Sequence, residues 1–257
     1  MSKQRFSFAM QLIKDIGKEL KFKQNIDRII SYKSSELDIV TQFDLEIQQK
    51  FVKEIKAKFS SDVVLAEEEG LSDVEPTSAT WVLDPIDGTA NFAHRLPLYC
   101  ISLAFYERTE PVFGLIYLPE TGDLYGAYKG EGAFLNSSRI RVSNRDEISE
   151  SLVTVGTTTL RSVELLNLLH TNVRRMRVLG TAALQAAFVA AGFSEAFIGY
   201  RLNIWDIAAA YIILKEAGGR VTDWNGKDIG PWNTEKMIFS NGHMLRELCS
   251  LISSVGV

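Results

Sequence analysis

The sequence predicts a layered α/β protein with two lobes, on three observations. The chain has 257 residues, 46% of them apolar, which fills a sizeable core and exceeds a minimal single domain. Runs of β-branched and aromatic residues, separated by turn residues, crowd its first half. Helical and strand-like segments alternate through its second half, and such mixtures pack as layers.

The elements follow in order. Residues 5–20 place Phe6, Ala9, Leu12, Ile13, Ile16 and Leu20 at helical spacing. Residues 41–59 predict a second helix, with Ile47, Phe51, Val52 and Ile55 on one face and Thr41 as its N-cap, Asp44 three residues on. Strands are expected at 80–84, 98–106, 112–118, 123–128 and 132–135. The polar stretch 141–151 predicts the boundary between a first lobe, 1–145, and a second, 146–257. Beyond it, strands are expected at 152–155, 176–179, 195–198, 220–224 and 237–240. Helices are expected at 163–173, 182–191, 206–217 and 244–252, the third stopped by Gly218 and Gly219.

Net charge is −4, from 28 basic and 32 acidic residues. Such a surface supplies no field for nucleic acid or anionic membrane, and neither partner is expected. The two cysteines, Cys100 and Cys249, have neither metal-ligand spacing nor the density of a disulfide scaffold, which suits a reducing compartment. The first ten residues lack a signal-like apolar core, and stretches such as 207–214 are too short to span a bilayer. A cytoplasmic protein is expected.

The most informative segment is Trp81-Val82-Leu83-Asp84-Pro85-Ile86-Asp87-Gly88-Thr89-Ala90-Asn91-Phe92. A strand runs into two carboxylates. Pro85 fixes φ directly after Asp84, Gly88 permits a tight backbone, and Thr89 offers a hydroxyl and opens a short helix. Two carboxylates on a stiff turn suit Mg²⁺, which wants oxygen ligands in a near-octahedral array, and N–H groups at a helix start suit phosphate. Alone, the Asp-Pro-x-Asp-Gly fragment also suits a solvated turn. A second acidic group, Glu67-Glu68-Glu69-Gly70, follows the apolar run Val63-Val64-Leu65 and alone suits a solvated loop. A third feature is Trp205-Asp206, where Asp equally suits an N-cap and Trp a core position.

Together these residues resemble one family. Ala66-Glu67-Glu68, Asp84 to Thr89 with Asn91-Phe92, and Trp205-Asp206 with Ala208-Ala209 and Glu216-Ala217-Gly218-Gly219 match the inositol monophosphatase family in order and chain length. Lys33-Ser34-Ser35, Asp38-Ile39-Val40-Thr41 with Asp44, and Gly180-Thr181-Ala182-Ala183 also fit, so the resemblance covers nearly the whole chain.

The resemblance implies an α–β–α–β–α sandwich of the inositol monophosphatase and fructose-1,6-bisphosphatase kind, with the site between two lobes. It implies a lithium-sensitive, homodimeric phosphoric monoester hydrolase acting on a small phosphorylated metabolite such as inositol 1-phosphate through metal-activated water. Carried over residue by residue, Glu67, Asp84 and the Ile86 carbonyl hold one Mg²⁺, and Asp84, Asp87 and Asp206 hold a second. Glu68 is an outer partner that serves a third, weaker ion. Thr89 and Asp44 orient the attacking water. Asp87, Gly88, Thr89, Gly180, Thr181 and Ala182 bind substrate, with Arg177 and Arg201 as further cations. No covalent nucleophile is required. Neither cysteine is placed for one, and His94, His170 and His243 are expected to be structural or surface residues.

One departure bears on substrate. Members selective for inositol phosphate carry a glutamate seven residues before the Asp of Trp-Asp, where this chain has Gly199, with Arg201 close behind. Losing a carboxylate and gaining a guanidinium favours doubly phosphorylated substrates such as fructose 1,6-bisphosphate, or the 2′-phosphate of NADP. A reading of a different class is a regulatory protein that docks on a partner through the same fold. The full set of expected metal ligands argues against a dead enzyme.

Overall fold

The computed structural model describes residues 2–23, 30–32, 39–69, 78–156 and 161–253. Lys33-Ser34-Ser35 and Asp38 of the family pattern, and Gly70 of the second acidic group, lie outside the described residues.

The apolar stripes of the two N-terminal helices dictate their packing. Helix α1 (Ser2–Lys23) and helix α2 (Gln42–Lys58) bury Ile13, Leu20, Ile47 and Phe51 against one face of a large sheet, where Trp81, Phe105 and Phe113 stack among them. A two-stranded hairpin, β1 (Ile30–Tyr32) and β2 (Ile39–Thr41), precedes α2.

The large sheet takes its strands in sequence order: β3 (Val63–Ala66), β4 (Ala79–Asp87), β5 (Cys100–Glu107), β6 (Glu110–Leu118), β7 (Asp123–Tyr128), β8 (Ala133–Leu135) and β9 (Ser138–Ile140). Only β3–β4 is parallel; the other pairs are antiparallel, as short turns require. A short helix, α3 (Thr89–Ala93), follows β4.

The polar stretch after Arg141 carries only the single turn Ile148–Glu150. Beyond it come β10 (Leu152–Val155), α4 (Arg161–Asn172), β11 (Arg175–Arg177), α5 (Ala182–Ala190), β12 (Ala196–Tyr200), α6 (Ile204–Glu216), β13 (Arg220–Thr222), β14 (Lys236–Ser240) and α7 (Leu245–Ile252). Their strands form a second sheet in the order β11-β10-β12-β14-β13, parallel at β11-β10-β12 and antiparallel at β12-β14-β13.

Five layers result. α5 and α6 are apolar nearly all round because both sheets cover them: their Leu184, Ala187, Ile207 and Ile213 meet Val82 and Ile116 of the large sheet and Phe197 and Phe239 of the small one. Gly114 lets α6 lie on β6, since a Cβ there would come within 2.5 Å of the Ala209 carbonyl oxygen. The outer face of the small sheet is closed by Leu165, Leu169, Leu245 and Leu248 of α4 and α7. This is the expected α–β–α–β–α sandwich. Among the described residues, no helix is long and apolar enough to cross a membrane.

Two local expectations change. β4 runs past Asp84 to Asp87, and its pairing with β5 shifts between those residues: Asp84 faces Ser102 while Asp87 faces Cys100. Pro85 has no N–H for the ladder, so the strand bulges there instead of ending. Asp206 is not the N-cap of α6. Asn203 is, and Asp206 closes a capping box from the third helical position by accepting the Asn203 N–H at 2.7 Å.

Candidate active site

The bulge in β4 is what assembles the site. Residues three apart on a regular strand point to opposite faces, and one extra residue returns Asp84 and Asp87 to the same side. Both are buried, 2% and 7% exposed. Oδ1 of Asp84 accepts the Ile86 N–H at 3.0 Å, which pins the turn. β3 pairs in parallel with β4, Ala66 beside Leu83, so Glu67 emerges next to Asp84. On the other side of β4, Ser102 donates its hydroxyl to the Trp205 carbonyl at 3.3 Å, and Tyr106 donates to the Ala208 carbonyl at 3.0 Å. These two bonds seat the first turn of α6, and with it Asp206, over the strand ends.

Four carboxylates therefore converge. Burial pushes the Asp84 carboxyl well above the usual range, and Glu67, Asp87 and Asp206 push it further the same way. Among the described residues no three acidic, imidazole or thiol groups close into a tight ligand cage. Asp87 is one reason, because both of its oxygens face α5. Oδ1 accepts the Ala182 N–H at 3.1 Å, Oδ2 accepts the Ala183 N–H at 2.8 Å, and Oδ2 also takes the Thr181 hydroxyl. Burial raises the Asp87 carboxyl to about 6, while these donors and the Cys100 thiol oppose the rise. Oδ2 is saturated by the Thr181, Ala183 and Cys100 donors, whereas Oδ1 keeps a lone pair beyond its one bond and is the oxygen that a cation would meet. The donor set of carboxylates and the Ile86 carbonyl is all oxygen, which fits a hard divalent cation. A cation there would relieve the mutual repulsion of the four acids.

The hydroxyl beside this cluster is held from two sides. Thr89 Oγ1 lies 3.2 Å from Asp44 Oδ1 and 3.0 Å from the Ile86 carbonyl oxygen, with Asp44 fully buried in the first turn of α2. One turn further along α2, buried Gln48 accepts the Glu68 N–H at 2.9 Å. Gly88 adopts φ +94°, and a Cβ there would come 3.0 Å from the Leu98 carbonyl and 3.4 Å from that of Gly180. Gly180-Thr181-Ala182 thus closes on the turn of the Asp84 motif. Gly180 and Ala182 are not fully buried and Thr181 caps α5 through a bond from the Leu184 N–H.

The two arginines do not join this group by contact. Arg177 is exposed on the edge strand β11 and donates to its neighbour's carbonyl, that of Met176, at 2.8 Å. Arg201 is exposed after β12 at φ +51°, its backbone N–H on the Glu235 carbonyl and its guanidinium 5.4 Å from the Tyr200 ring centre. All three histidines are exposed, as expected. Cys100 differs from expectation in its place: it is buried 3.5 Å from Asp87 Oδ2. Burial and then the Asp87 charge push its thiol well up, so it stays protonated and acts as a donor. Gln48, Ser102 and Cys100 were not foreseen. Only Gln48 carried a signal, one helical turn after Asp44.

Comparison with known proteins places the chain in a family. A family model described as the inositol monophosphatase family matches residues 1–255. A fructose-1,6-bisphosphatase/inositol-1-monophosphatase of Thermotoga maritima is 38% identical over 251 residues, covering 98% of this chain and 96% of that protein. The structure of a Thermotoga maritima IMPase superposes with a TM-score of 0.92 at 37% identity, over 98% of each chain. An IMPase/NADP phosphatase solved with Mg²⁺ and phosphate is 25% identical, with a TM-score of 0.89 over 98% of this chain and 96% of that one. Its complex with NADP and Ca²⁺ gives 25% and 0.90 over 100% and 97%.

Proposed function

The chain belongs to the inositol monophosphatase family of phosphatases, and from that premise we propose that it is a Mg²⁺-dependent phosphomonoesterase that hydrolyses a small polyol or sugar phosphate such as inositol 1-phosphate, with water as nucleophile. The observation that carries this is the convergence of Glu67, Asp84, Asp87 and Asp206 around a hydroxyl held by Asp44.

Glu67, Asp84, Asp87, Asp206 and the Ile86 carbonyl would hold Mg²⁺, two or three ions in all, with Glu68 as an outer partner. Bound there, the ions neutralise phosphate charge and make water more acidic. The protein's own part is positional. Thr89 has one hydroxyl proton facing two acceptors, Asp44 and the Ile86 carbonyl, so the proton is engaged and the oxygen's lone pairs are left to accept from water and aim it. Asp44, fully buried, fixes that hydroxyl. Backbone N–H groups at Gly88 and Thr89 are suited to phosphate oxygens, and Gly180, Thr181 and Ala182 complete the opposite wall.

Broader substrate use is favoured by one observation. A Cβ at Gly199 would come within 2.5 Å of Leu202 Cδ1, so Leu202 fills the space a longer side chain would need. Fructose 1,6-bisphosphate and NADP therefore join inositol 1-phosphate as candidate substrates, with Arg201, and more weakly Arg177, as candidate contacts to a second anionic group. The dual names of the relatives support this reading. A homodimer and inhibition by Li⁺ complete it. The test is phosphate release from inositol 1-phosphate, fructose 1,6-bisphosphate, NADP and histidinol phosphate, with Mg²⁺ and with EDTA. Release from at least one substrate, abolished by EDTA, is expected; release from none overturns the proposal.

A further inference from the structure

One side chain of the Asp84–Phe92 motif has no part in the chemistry above. Asn91, half-buried in α3, donates through Nδ2 to the Leu98 carbonyl at 2.6 Å and to the Leu179 carbonyl at 2.7 Å. Only the amide nitrogen can serve two carbonyls, which fixes the orientation of the group. The two acceptors come from separate halves of the chain. Leu98 lies just before β5 and Leu179 just before α5.

The backbone around this amide is packed to contact. Gly180 has φ +72°, and a Cβ there would come 3.2 Å from Asn91 Nδ2. The Leu179 N–H is held in turn by Gln185 Oε1 at 3.3 Å, one turn into α5, and Gln185 is buried. Directly after Gly180, Thr181, Ala182 and Ala183 present the three donors that grip Asp87. The direction of the Asp87 carboxylate thus depends on where α5 begins, and Leu179, held by Asn91 and Gln185, directly precedes the Gly180-Thr181 turn that caps it.

We propose that Asn91 is a positioning residue: by clamping the Leu98 and Leu179 carbonyls it sets the N-terminus of α5 against Asp87. This rests on the carboxylate cluster being the active site, but the clamp itself is a property of the metal-free protein. It acts through Thr181 and its neighbours, so loss of Asn91 and loss of the Thr181 hydroxyl should damage one linkage, not two.

The first measurement needs no activity. Amide hydrogen exchange of residues 180–190 is compared in wild type, Asn91→Ala and Asn91→Asp. Exchange at Ala182 and Ala183 is expected to quicken about tenfold in Asn91→Ala, and more in Asn91→Asp, whose carboxylate would face two carbonyls. Residues 186–190 should keep their protection. Unchanged exchange at Ala182 and Ala183, or equal loss along all of α5, overturns the clamp. The second measurement is a kinetic cycle of Asn91→Ala with Thr181→Ala. Half-activation by Mg²⁺ should shift up about tenfold in each single variant, and the double variant should lose little more than the worse single one. Additive losses show that Asn91 does not act through α5, and an unshifted Mg²⁺ requirement in Asn91→Ala shows a merely structural role. A wild type inactive on every substrate would sink the phosphatase reading while leaving the exchange result to stand by itself.

Discussion

Thr89 Oγ1 sits 3.2 Å from Asp44 Oδ1 and 3.0 Å from the Ile86 carbonyl, so one hydroxyl proton faces two acceptors, one of them a fully buried carboxylate. A hydroxyl whose proton is so engaged turns its lone pairs away from both acceptors. If this hydroxyl orients the attacking water, as proposed, its effect belongs to the transition state and not to ground-state affinity. Thr89→Ala is therefore expected to lower kcat by about 10²-fold or more, with KM within about threefold. Thr89→Ser should retain most activity. Steady-state kinetics on inositol 1-phosphate decide it, and a rise in KM alone would assign Thr89 to phosphate binding only.

The acid cluster makes the metal-free protein sensitive to pH. Burial holds the Asp87 carboxyl at about 6 against 3.8 for a free side chain, and burial, joined by its acidic neighbours, raises Asp84 well above its usual range. A raised carboxyl binds protons in the folded state that the unfolded chain has released. Stability is therefore greatest at low pH within this window and falls as pH rises through about 6. In EDTA, the melting temperature should drop between pH 5 and pH 7.5, and Mg²⁺ should restore it at pH 7.5. A melting temperature that rises over that range, or ignores Mg²⁺, contradicts the cluster.

Asp62 offers a contrast far from the chemistry. It is 1% exposed and accepts Arg5 through both oxygens, each at 2.7 Å, and the Trp81 indole N–H at 2.9 Å. Burial works against its charge, but Arg5 and Trp81 prevail and hold it below the usual range. Asp62→Ala strands a guanidinium beside the α1 core, and about 3 kcal/mol of stability should be lost, measured by urea unfolding. At 10 °C, kcat of the folded enzyme should be unchanged. A large fall in kcat without unfolding would mean that α1 communicates with the site.

The proposed substrate breadth is tested at Arg201. A charge-assisted contact to a partly solvated phosphate is worth about 1.5–3 kcal/mol, so Arg201→Ala should cost about one to two decades in kcat/KM on fructose 1,6-bisphosphate or NADP. The loss on inositol 1-phosphate should be smaller. Equal losses on both classes would place Arg201 in the common site or in the fold.

Much of this was legible in sequence, and what was not has physical causes. The helices α1, α2, α5 and α6 and most strands announced themselves through apolar period and glycine stops. The Asp84–Thr89 motif pointed to metal and phosphate before any geometry. The bulge was hidden, because Pro85 reads as a strand terminator until Asp84 is seen to pair with Ser102 and Asp87 with Cys100. Asp206 read as a cap because helix starts shift by two residues when Asn203 is available. Ser102 and Cys100 were invisible because β5 is buried on both faces, leaving no alternation to mark them. Nor could any spacing reveal that Asp87 and Thr181, from opposite halves of the chain, share a bond.

The central claim is that Glu67, Asp84, Asp87 and Asp206 form one divalent-cation site for phosphate ester hydrolysis. Asp84 is the acid to change, since it is buried and Glu67, Asp87 and Asp206 all act on its carboxyl. The direct measurement is phosphate release by wild type and Asp84→Asn across a Mg²⁺ titration after EDTA treatment, with circular dichroism as a check on folding. Wild type should be silent without Mg²⁺ and fully restored by it. The folded Asp84→Asn variant should stay at least about 10²-fold slower at every Mg²⁺ concentration. Full activity of Asp84→Asn in limiting Mg²⁺, or wild-type turnover in EDTA, would contradict the claim.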